Sequence, residues 1–598
     1  MILQALTKLY EDLAEQGKIA REGWNAVKIS YLLEIDEDGT LLGFIPQFKE
    51  IISGKKTQSV PMEKILPAAV KRSSGIASNF LWDNSAYMLG IDGKGKPERA
   101  KECFEACKGF HRELLDGIDT AAARAILNFF DGWEPASAAE HPLIAENLNE
   151  LYKGGNVTFF VKGRLAAEDA EIKAAWQKYY DSSDGERMQC LVTGKDDVIV
   201  PTHPAIKGVA DAQSSGAALV SFNASAFCSY GKEQNYNAPV GKYAAFAYTS
   251  ALNYLRKNVS AYAACLAFAY TSALNYLLSD KENVHRIGDT TVVCWAEGAE
   301  EQYNGLTNMW MFGDDNNTGL SDADLYAAVK RITEGKYCNE LKIDPKRPYY
   351  VLGLAPNAAR LSVSFFLRNE FGSFIRNVNE HYERMEIVKS KFDKFDTLPI
   401  WAMLNETVNP KSQDKKPSSV LAKSTARAIF AGTAYPAALL NGAMLRIRAE
   451  RNITRGRAAI IKAYYLKNTN KGCPKEVLTV SLNEQSTNIP YTLGRLFAFY
   501  EFAQDGANPG INATIKDKYL NSAEAAPAHI FPILNKLYPK HLNKLNDKTA
   551  WFIDSEVMKL KSVLGEEYPV RLTLPEQGSF DLGYYHQKQW LYTKKEDR

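Results

Sequence analysis

Cys103, Cys107 and His111 recur every four residues, a spacing that places three metal-binding side chains on one face of a helix. The outer two then stand about 12 Å apart along the axis, too far to share one ion, so the trio predicts a core stripe with Phe104 and Leu114. Asp314, Asn316, Thr318, Gly319 and Asp322 approach the spacing of a calcium loop, but Leu325 stands where that loop needs its bidentate carboxylate. Ser321 or Asp322 as a helix N-cap accounts for much of the same segment. His203, between Pro201 and Pro204, has no recognisable partner and is expected to be structural. No GxxxxGK(S/T), GxGxxG after a strand, HExxH or GxSxG occurs, so the short signatures of NTPase, dinucleotide, zinc-protease and serine-hydrolase chemistry are missing. A metal-dependent nuclease would have to draw on carboxylates such as Asp314, Asp315, Asp322 and Asp324. The expectation is a protein without catalytic residues, cofactor or metal.

The charge distribution points to a different chemistry. Between 411 and 477 fourteen basic residues oppose Asp414, Glu450 and Glu476, a net +11. Residues 478–598 balance at fourteen of each sign, so the first 410 carry −9 within a total of +2. That small total excludes a uniformly basic coat but leaves room for a local basic track. Arg446, Arg448, Arg451, Arg455, Arg457, Lys462 and Lys467 interleave with Leu445, Ile447, Ile453, Ile460, Ile461, Tyr464 and Leu466, which predicts helices with one packed and one charged face. Solvated helix surfaces usually mix both signs, and with Glu450 alone to offset this row the pattern favours a track for a polyanion. Lys536, Lys540, Lys544 and Lys548 recur every four residues, as on a single helical face past Pro539.

Two polar stretches have the composition of recognition loops: KRSSGIASNFLWDN (71–84) and SFNASAFCSYGKEQNYNAPVGK (221–242). Gly, Ser and Asn allow close backbone approach, and Lys, Asn and Gln can hydrogen-bond base edges. The same residues also cap helices and turns, and composition alone does not separate the two uses.

The elements that must position these groups follow from periodicity. With 598 residues the chain exceeds what one core supports, and 45% hydrophobic with 24% charged residues is a globular composition. The first helix is amphipathic over Ile2–Leu13, and ISYLLEI (29–35) with TLLGFI (40–45) around Asp38-Gly39 predicts a hairpin with a tight primed turn. Further strands are expected at 156–163, 190–194, 289–297 and 349–356, and helices at 98–116 and 322–333. From about 416 onward the periodicity is helical. The predicted fold is a mixed α+β N-terminal region (1–410), a basic helical segment (411–477) and an α-helical C-terminal bundle (478–598). Eight cysteines without CxxC fit reduced thiols in the cytoplasm, and no apolar run is long enough for a membrane span. AFAYTSALNYL occurs twice, at 245–255 and 267–277; an offset of 22 residues keeps a helical stripe within about 40° of phase.

Five blocks in order, KRSSGIASNFLWDNSAYMLG (71–90), SFNASAFCSYGKEQNYNAPV (221–240), GDTTVVCWAE (288–297), GLAPNAARLSVSFF (353–366) and RAAIIKAYYLKN (457–468), resemble the large-subunit family of type I-C (Dvulg-subtype) CRISPR Cascade surveillance complexes. The tail from TLGRLFAFYEFAQ also fits, so the resemblance spans nearly the whole chain; the doubled AFAYTSALNYL departs from a pattern with one copy. The resemblance implies a non-catalytic subunit that joins crRNA, Cascade backbone subunits and a crRNA-end-capping subunit. It implies that this subunit reads the protospacer-adjacent motif in target duplex DNA, helps open the duplex and supports a helicase-nuclease effector. It further implies that the C-terminal region is also made separately as a small subunit, from an internal start near Val477–Val480 where no methionine stands. Motif contacts are then expected from Lys71, Arg72, Ser73, Ser74, Asn79, Asn84, Lys232, Gln234 and Asn235. Backbone contacts are expected from Arg446, Arg448, Arg451, Arg455, Arg457, Lys462, Lys536, Lys540 and Lys544. A metal-dependent nuclease and a purely structural scaffold are the alternatives.

Overall fold

The computed structural model describes the chain except residues 54–55, 71–74, 92–95, 153–154, 183–184, 207–208, 210, 214–215, 254–285, 299–301, 304–305, 308–321, 391–392, 394–396, 470 and 594–598. Strands and helices mix in the first four hundred residues and, among the described residues, only helices follow, as the change of periodicity predicts. The chain divides into two compact units: Met1–Ile206 with Ala218–Asn283, and Lys207–Ala217 with Val284–Arg598.

In the first unit the hairpin forms as expected, Tyr31–Ile35 pairing antiparallel with Leu41–Pro46. Its turn is not the tight primed one: Gly39 alone takes positive φ (+83°), and the Asp36 carboxylate closes the loop by accepting from Asp38 N and Thr40 N. A Cβ on Gly39 would overlap the backbone of the Ala121–Gly132 helix, so that close approach also requires glycine. Tyr31–Ile35 pairs parallel with Asn156–Val161, and Trp82–Asn84 completes the order on the far side. A second antiparallel sheet runs Trp24–Ile29, Lys56–Pro67, Phe48–Ser53. The segment 190–194, expected as a strand, is the turn between the short strands Arg187–Gln189 and Asp196–Val198.

Cys103, Cys107 and His111 lie buried on the Pro97–Leu115 helix, as a core stripe should. His111 Nδ1 donates to the Cys107 carbonyl at 2.8 Å, and Nε2 accepts from Leu81 N at 2.8 Å. Burial lowers the imidazole pKa to about 4, so it stays neutral and holds Leu81 at φ +65°.

In the second unit Arg286–Ile287, Thr290–Ala296, Pro348–Asn357 and Arg360–Glu370 form an antiparallel sheet, with the Asp322–Thr333 helix between its second and third strands and the remaining described helices after its last. One apolar core extends from Ile287 to Leu591. The helices Ile489–Ala507 and Leu574–Tyr592 approach closely, and two glycines interlock reciprocally between them. A Cβ on Gly494 would overlap the Phe580 carbonyl, and one on Gly583 would overlap that of Tyr491. Tyr491 Oη and His586 Nδ1 (2.9 Å) and Arg495 Nε with Gln587 Oε1 (3.0 Å) bond across the same seam. We predict that Gly494→Ala costs about 1–3 kcal/mol by overpacking, measured as a lower midpoint in denaturant unfolding.

The acidic loop residues Asp314, Asp315, Asn316, Thr318 and Gly319 lie outside the described residues, and Asp322 opens the Asp322–Thr333 helix. The first AFAYTSALNYL copy begins within a helix over 242–253, where Ala245, Ala247, Tyr248, Ala251 and Leu252 are buried; the second copy lies outside the described residues. Among the described residues no helix is long and apolar enough to cross a membrane.

Candidate nucleic-acid interface

Loop 221–242 is anchored at its root from several directions. Asp197 Oδ2 accepts from Tyr243 N (3.2 Å) at the start of the 242–253 helix, where a carboxylate meets the positive end of the helix dipole. Lys242 Nζ donates to the Tyr180 carbonyl (2.8 Å) and sits 3.5 Å over the Tyr180 ring. Burial outweighs the nearby Lys242 ammonium and raises Glu22 to about 7 at the same root. His203 Nδ1 lies 2.6 Å from Tyr248 Oη, and its imidazole pKa is lowered by burial, a structural pairing as expected.

Two asparagines then shape the loop. Asn235 is buried (2% exposed) and its amide donates to the carbonyls of Val200 (2.8 Å) and Val240 (3.2 Å). The expectation that Asn235 contacts DNA is therefore corrected: its donors are spent on backbone carbonyls, and it is a tie within the loop. Asn237 accepts from Ser229 N (2.8 Å) and donates to the carbonyls of Lys232 and Gln234 (both 2.9 Å). Lys232 and Gln234 are exposed on that framework, and Gln234 takes φ +45°.

The other expected recognition stretch divides. Lys71, Arg72, Ser73 and Ser74 lie outside the described residues. Asn79 is 4% exposed; its Oδ1 accepts from Val70 N (2.9 Å) and its N–H donates to Asp83 Oδ2 (3.0 Å). Asn79 thus ties its own segment together, which corrects its assignment as a base contact. Asn84 is half-buried and caps the Ser85–Met88 turn by accepting from Ala86 N (3.0 Å).

The basic segment contains the helices Ser419–Ala431, Ala437–Glu450 and Arg455–Lys467, and the last is buried almost all round. Arg457 is 4% exposed: Nη2 meets Glu450 Oε2 at 2.6 Å, Nε meets Glu406 Oε2 at 3.4 Å, and Nη1 donates to the Asn452 carbonyl at 2.9 Å. Lys462 is 2% exposed and donates to the carbonyls of Arg384 (3.1 Å) and Glu386 (2.8 Å), at the C-terminal end of the Phe371–Met385 helix. Desolvation lowers its ammonium pKa to about 8, and those carbonyls keep the buried charge solvated. Both assignments as DNA-backbone contacts are corrected, because these charges neutralise groups inside the fold.

Arg446 is mostly covered and reaches Glu450 (3.5 Å), and Arg448 bonds Gln577 Oε1 (2.5 Å) while its side chain stays 44% exposed. Arg451 is exposed at φ +50° and donates to the Asp517 carbonyl. Arg455 is half-buried in a polar cavity of about 200 Å³ with Asp393, Asn452 and Lys588. Exposed cations in the segment include Lys411, Lys415, Lys416, Arg427, Lys471 and Lys475. Lys536 and Lys540 are exposed on Pro527–Leu542, but that helix ends there. Asn546 caps a new helix by accepting from Thr549 N (2.9 Å), so exposed Lys544 sits in the connection and the single four-lysine face is not formed.

Sequence reasoning passed over Asn237 and Tyr230, although Gly231 and Pro239 beside them were turn signals. It also passed over Glu406, which lies outside the window in which the charges balance poorly. Among the described residues no group of three or more His, Cys, Asp and Glu is placed to hold a metal. A family model described as CRISPR-associated protein (Cas_Csd1) matches residues 6–264 and 256–592, each part holding one copy of AFAYTSALNYL. No curated protein matches the chain.

Proposed function

Because the chain belongs to the family of CRISPR-associated proteins that this model describes, we propose that it is the non-catalytic large subunit of a crRNA-guided type I-C interference complex. In this reading guide pairing selects the target, while this chain recognises the protospacer-adjacent motif in duplex DNA, helps open the duplex and stabilises the R-loop. The single observation that carries the reading is loop 221–242: exposed Lys232 and Gln234 stand on a backbone fixed by Asn235 and Asn237, a pre-organised pair of hydrogen-bonding groups of the kind that reads base edges. Its partners would be target DNA, crRNA, the backbone and end-capping subunits, and a helicase-nuclease effector. The C-terminal region would also be made separately as a small subunit.

The test is binding of the reconstituted complex, with and without this chain, to duplexes with one matched target and a randomised flanking trinucleotide. A flank preference that depends on the chain and relaxes in Lys232→Ala supports the reading. An equal gain for every flank would reduce the chain to a clamp. Backbone binding falls to the exposed cations, so Lys415→Glu/Lys416→Glu/Arg427→Glu is expected to weaken all flanks alike. It should also flatten the log–log salt slope by about 0.9 for each duplex phosphate that is no longer neutralised, read from titrations at several salt concentrations.

A further inference from the structure

Ser229, Tyr230, Gly231 and Lys232 form a closed four-residue turn: Lys232 N donates to the Ser229 carbonyl at 3.0 Å, and the two central residues take φ +53° and +71°. Positive φ at both central positions defines a type I′ turn, which favours Asn, Asp or Gly at the first of them. A tyrosine occupies it instead. The ring gains nothing from the fold in return, because Tyr230 is 100% exposed, the most exposed large aromatic among the described residues. The turn is nevertheless tied at its ends. Asn237 grips both of its ends, accepting from Ser229 N and donating to the Lys232 carbonyl. An aromatic side chain is thus held in water, on a strained backbone, by a support that does not touch the ring; strain maintained in this way is characteristic of functional positions. Close in the chain are Phe227, 42% exposed, and exposed Lys232.

We propose that Tyr230 is a stacking residue: its ring packs on the face of a nucleobase of the first target pair as that pair opens next to the recognised motif. An aromatic face accepts any base, and a neighbouring lysine suits the adjoining phosphate. The inference rests on the reading of loop 221–242 as the motif-reading element. It adds a division of labour in which Lys232 and Gln234 select the flank and Tyr230 holds the opened base.

The experiment uses the full reconstituted complex and two target duplexes, one intact and one abasic at the first target position. Three variants are compared: Tyr230→Ala, Tyr230→Phe and Tyr230→Asn. The last suits the left-handed turn, so a loss it shares with the alanine variant comes from the missing ring and not from a collapsed loop. On the intact duplex Ala and Asn are expected to lose about ten-fold or more in affinity and Phe to lose little. On the abasic duplex wild type and all three variants should bind alike, and flank preference should persist throughout. Equal binding of wild type and Tyr230→Asn to the intact duplex overturns the proposal, as does a loss of the same size on the abasic duplex. A wild-type complex without flank preference defeats the underlying reading, whereas a preference relaxed by Lys232→Ala beside a silent Tyr230→Asn defeats this inference alone.

Discussion

Arg457→Ala lowers the stability of the unit that carries it by about 3 kcal/mol, while Arg451→Ala changes it by no more than about 0.5 kcal/mol. Both arginines belong to the same basic run of sequence, but their surroundings differ. The Arg457 side chain is 4% exposed and forks between Glu450 and Glu406, so its removal leaves Glu450 with Arg446 at 3.5 Å and Glu406 with the Thr454 hydroxyl at 2.7 Å, beside a packed helix. Each carboxylate keeps about a quarter of its side chain in water, at 26% and 25%, which places the cost at the lower end of the range for breaking a buried ion pair. Arg451 is exposed and bonds through one guanidinium nitrogen to the Asp517 carbonyl. Urea unfolding of the two variants checks the difference. Equal midpoints would mean that Arg457 is not an internal counter-ion to Glu450 and Glu406. A charge reversal that includes Arg457 would therefore report on folding before it reported on DNA, which is why Lys415, Lys416 and Arg427 are the better positions for reversal.

That contrast marks the limit of what the sequence discloses. Periodicity located the Ala437–Glu450 and Arg455–Lys467 helices, and the switch from mixed to purely helical structure, because a packed face leaves an apolar repeat in the chain itself. It could not tell that Arg457 and Lys462 point inward, since apart from Glu450 their partners are Glu406 and the carbonyls of residues 383, 384 and 386, some fifty to eighty positions away. Loop 221–242 was legible as a candidate from its Gly, Ser and Asn content. Which asparagine ties and which residue is presented depended on the turn at 229–232 and on distant acceptors such as the Val200 carbonyl. Asn79 looked free as well, although its near neighbours in the chain Val70 and Asp83 occupy it.

The second large effect concerns pH. Glu524 (1% exposed) and Asp581 (0%) are buried near one another on the Ile515–Ala525 and Leu574–Tyr592 helices, with Arg448 3.8 Å from Glu524. Desolvation raises the Glu524 carboxyl from an ordinary 4.5 to about 7 against the Arg448 charge, and desolvation with Glu524 alongside raises Asp581 well above 3.8. A folded state that binds its proton more tightly than the unfolded chain loses stability as pH rises. For Glu524 the contribution is full below pH 4.5 and is lost as pH climbs through about 7. The buried histidines His381 and His586, lowered by desolvation from 6.5 to about 3, act oppositely, and their contribution is lost as pH falls below 6.5. Wild type should thus lose stability on both sides, and the difference between Glu524→Gln and wild type removes the histidine contribution and reports on the Glu524–Asp581 pair. We expect that difference to be small at pH 5 and to favour the variant by on the order of 3 kcal/mol at pH 8. A difference that is the same at both pH values would show that Glu524 is ionised throughout.

The central claim is that loop 221–242 touches the DNA that flanks the target, and the most direct measurement is a photo-crosslink from position 232. A photoreactive side chain placed at Lys232, which is exposed and whose carbonyl is already held by Asn237, is activated in the full complex on a duplex with a defined target and flank. The crosslinked nucleotide is then mapped on each strand. The account predicts crosslinks confined to the few base pairs flanking the target at its motif end, lost when the flank is replaced by a non-preferred sequence. Crosslinks to the guide RNA or to a neighbouring subunit, or DNA crosslinks spread evenly over duplexes of any flank, would contradict it.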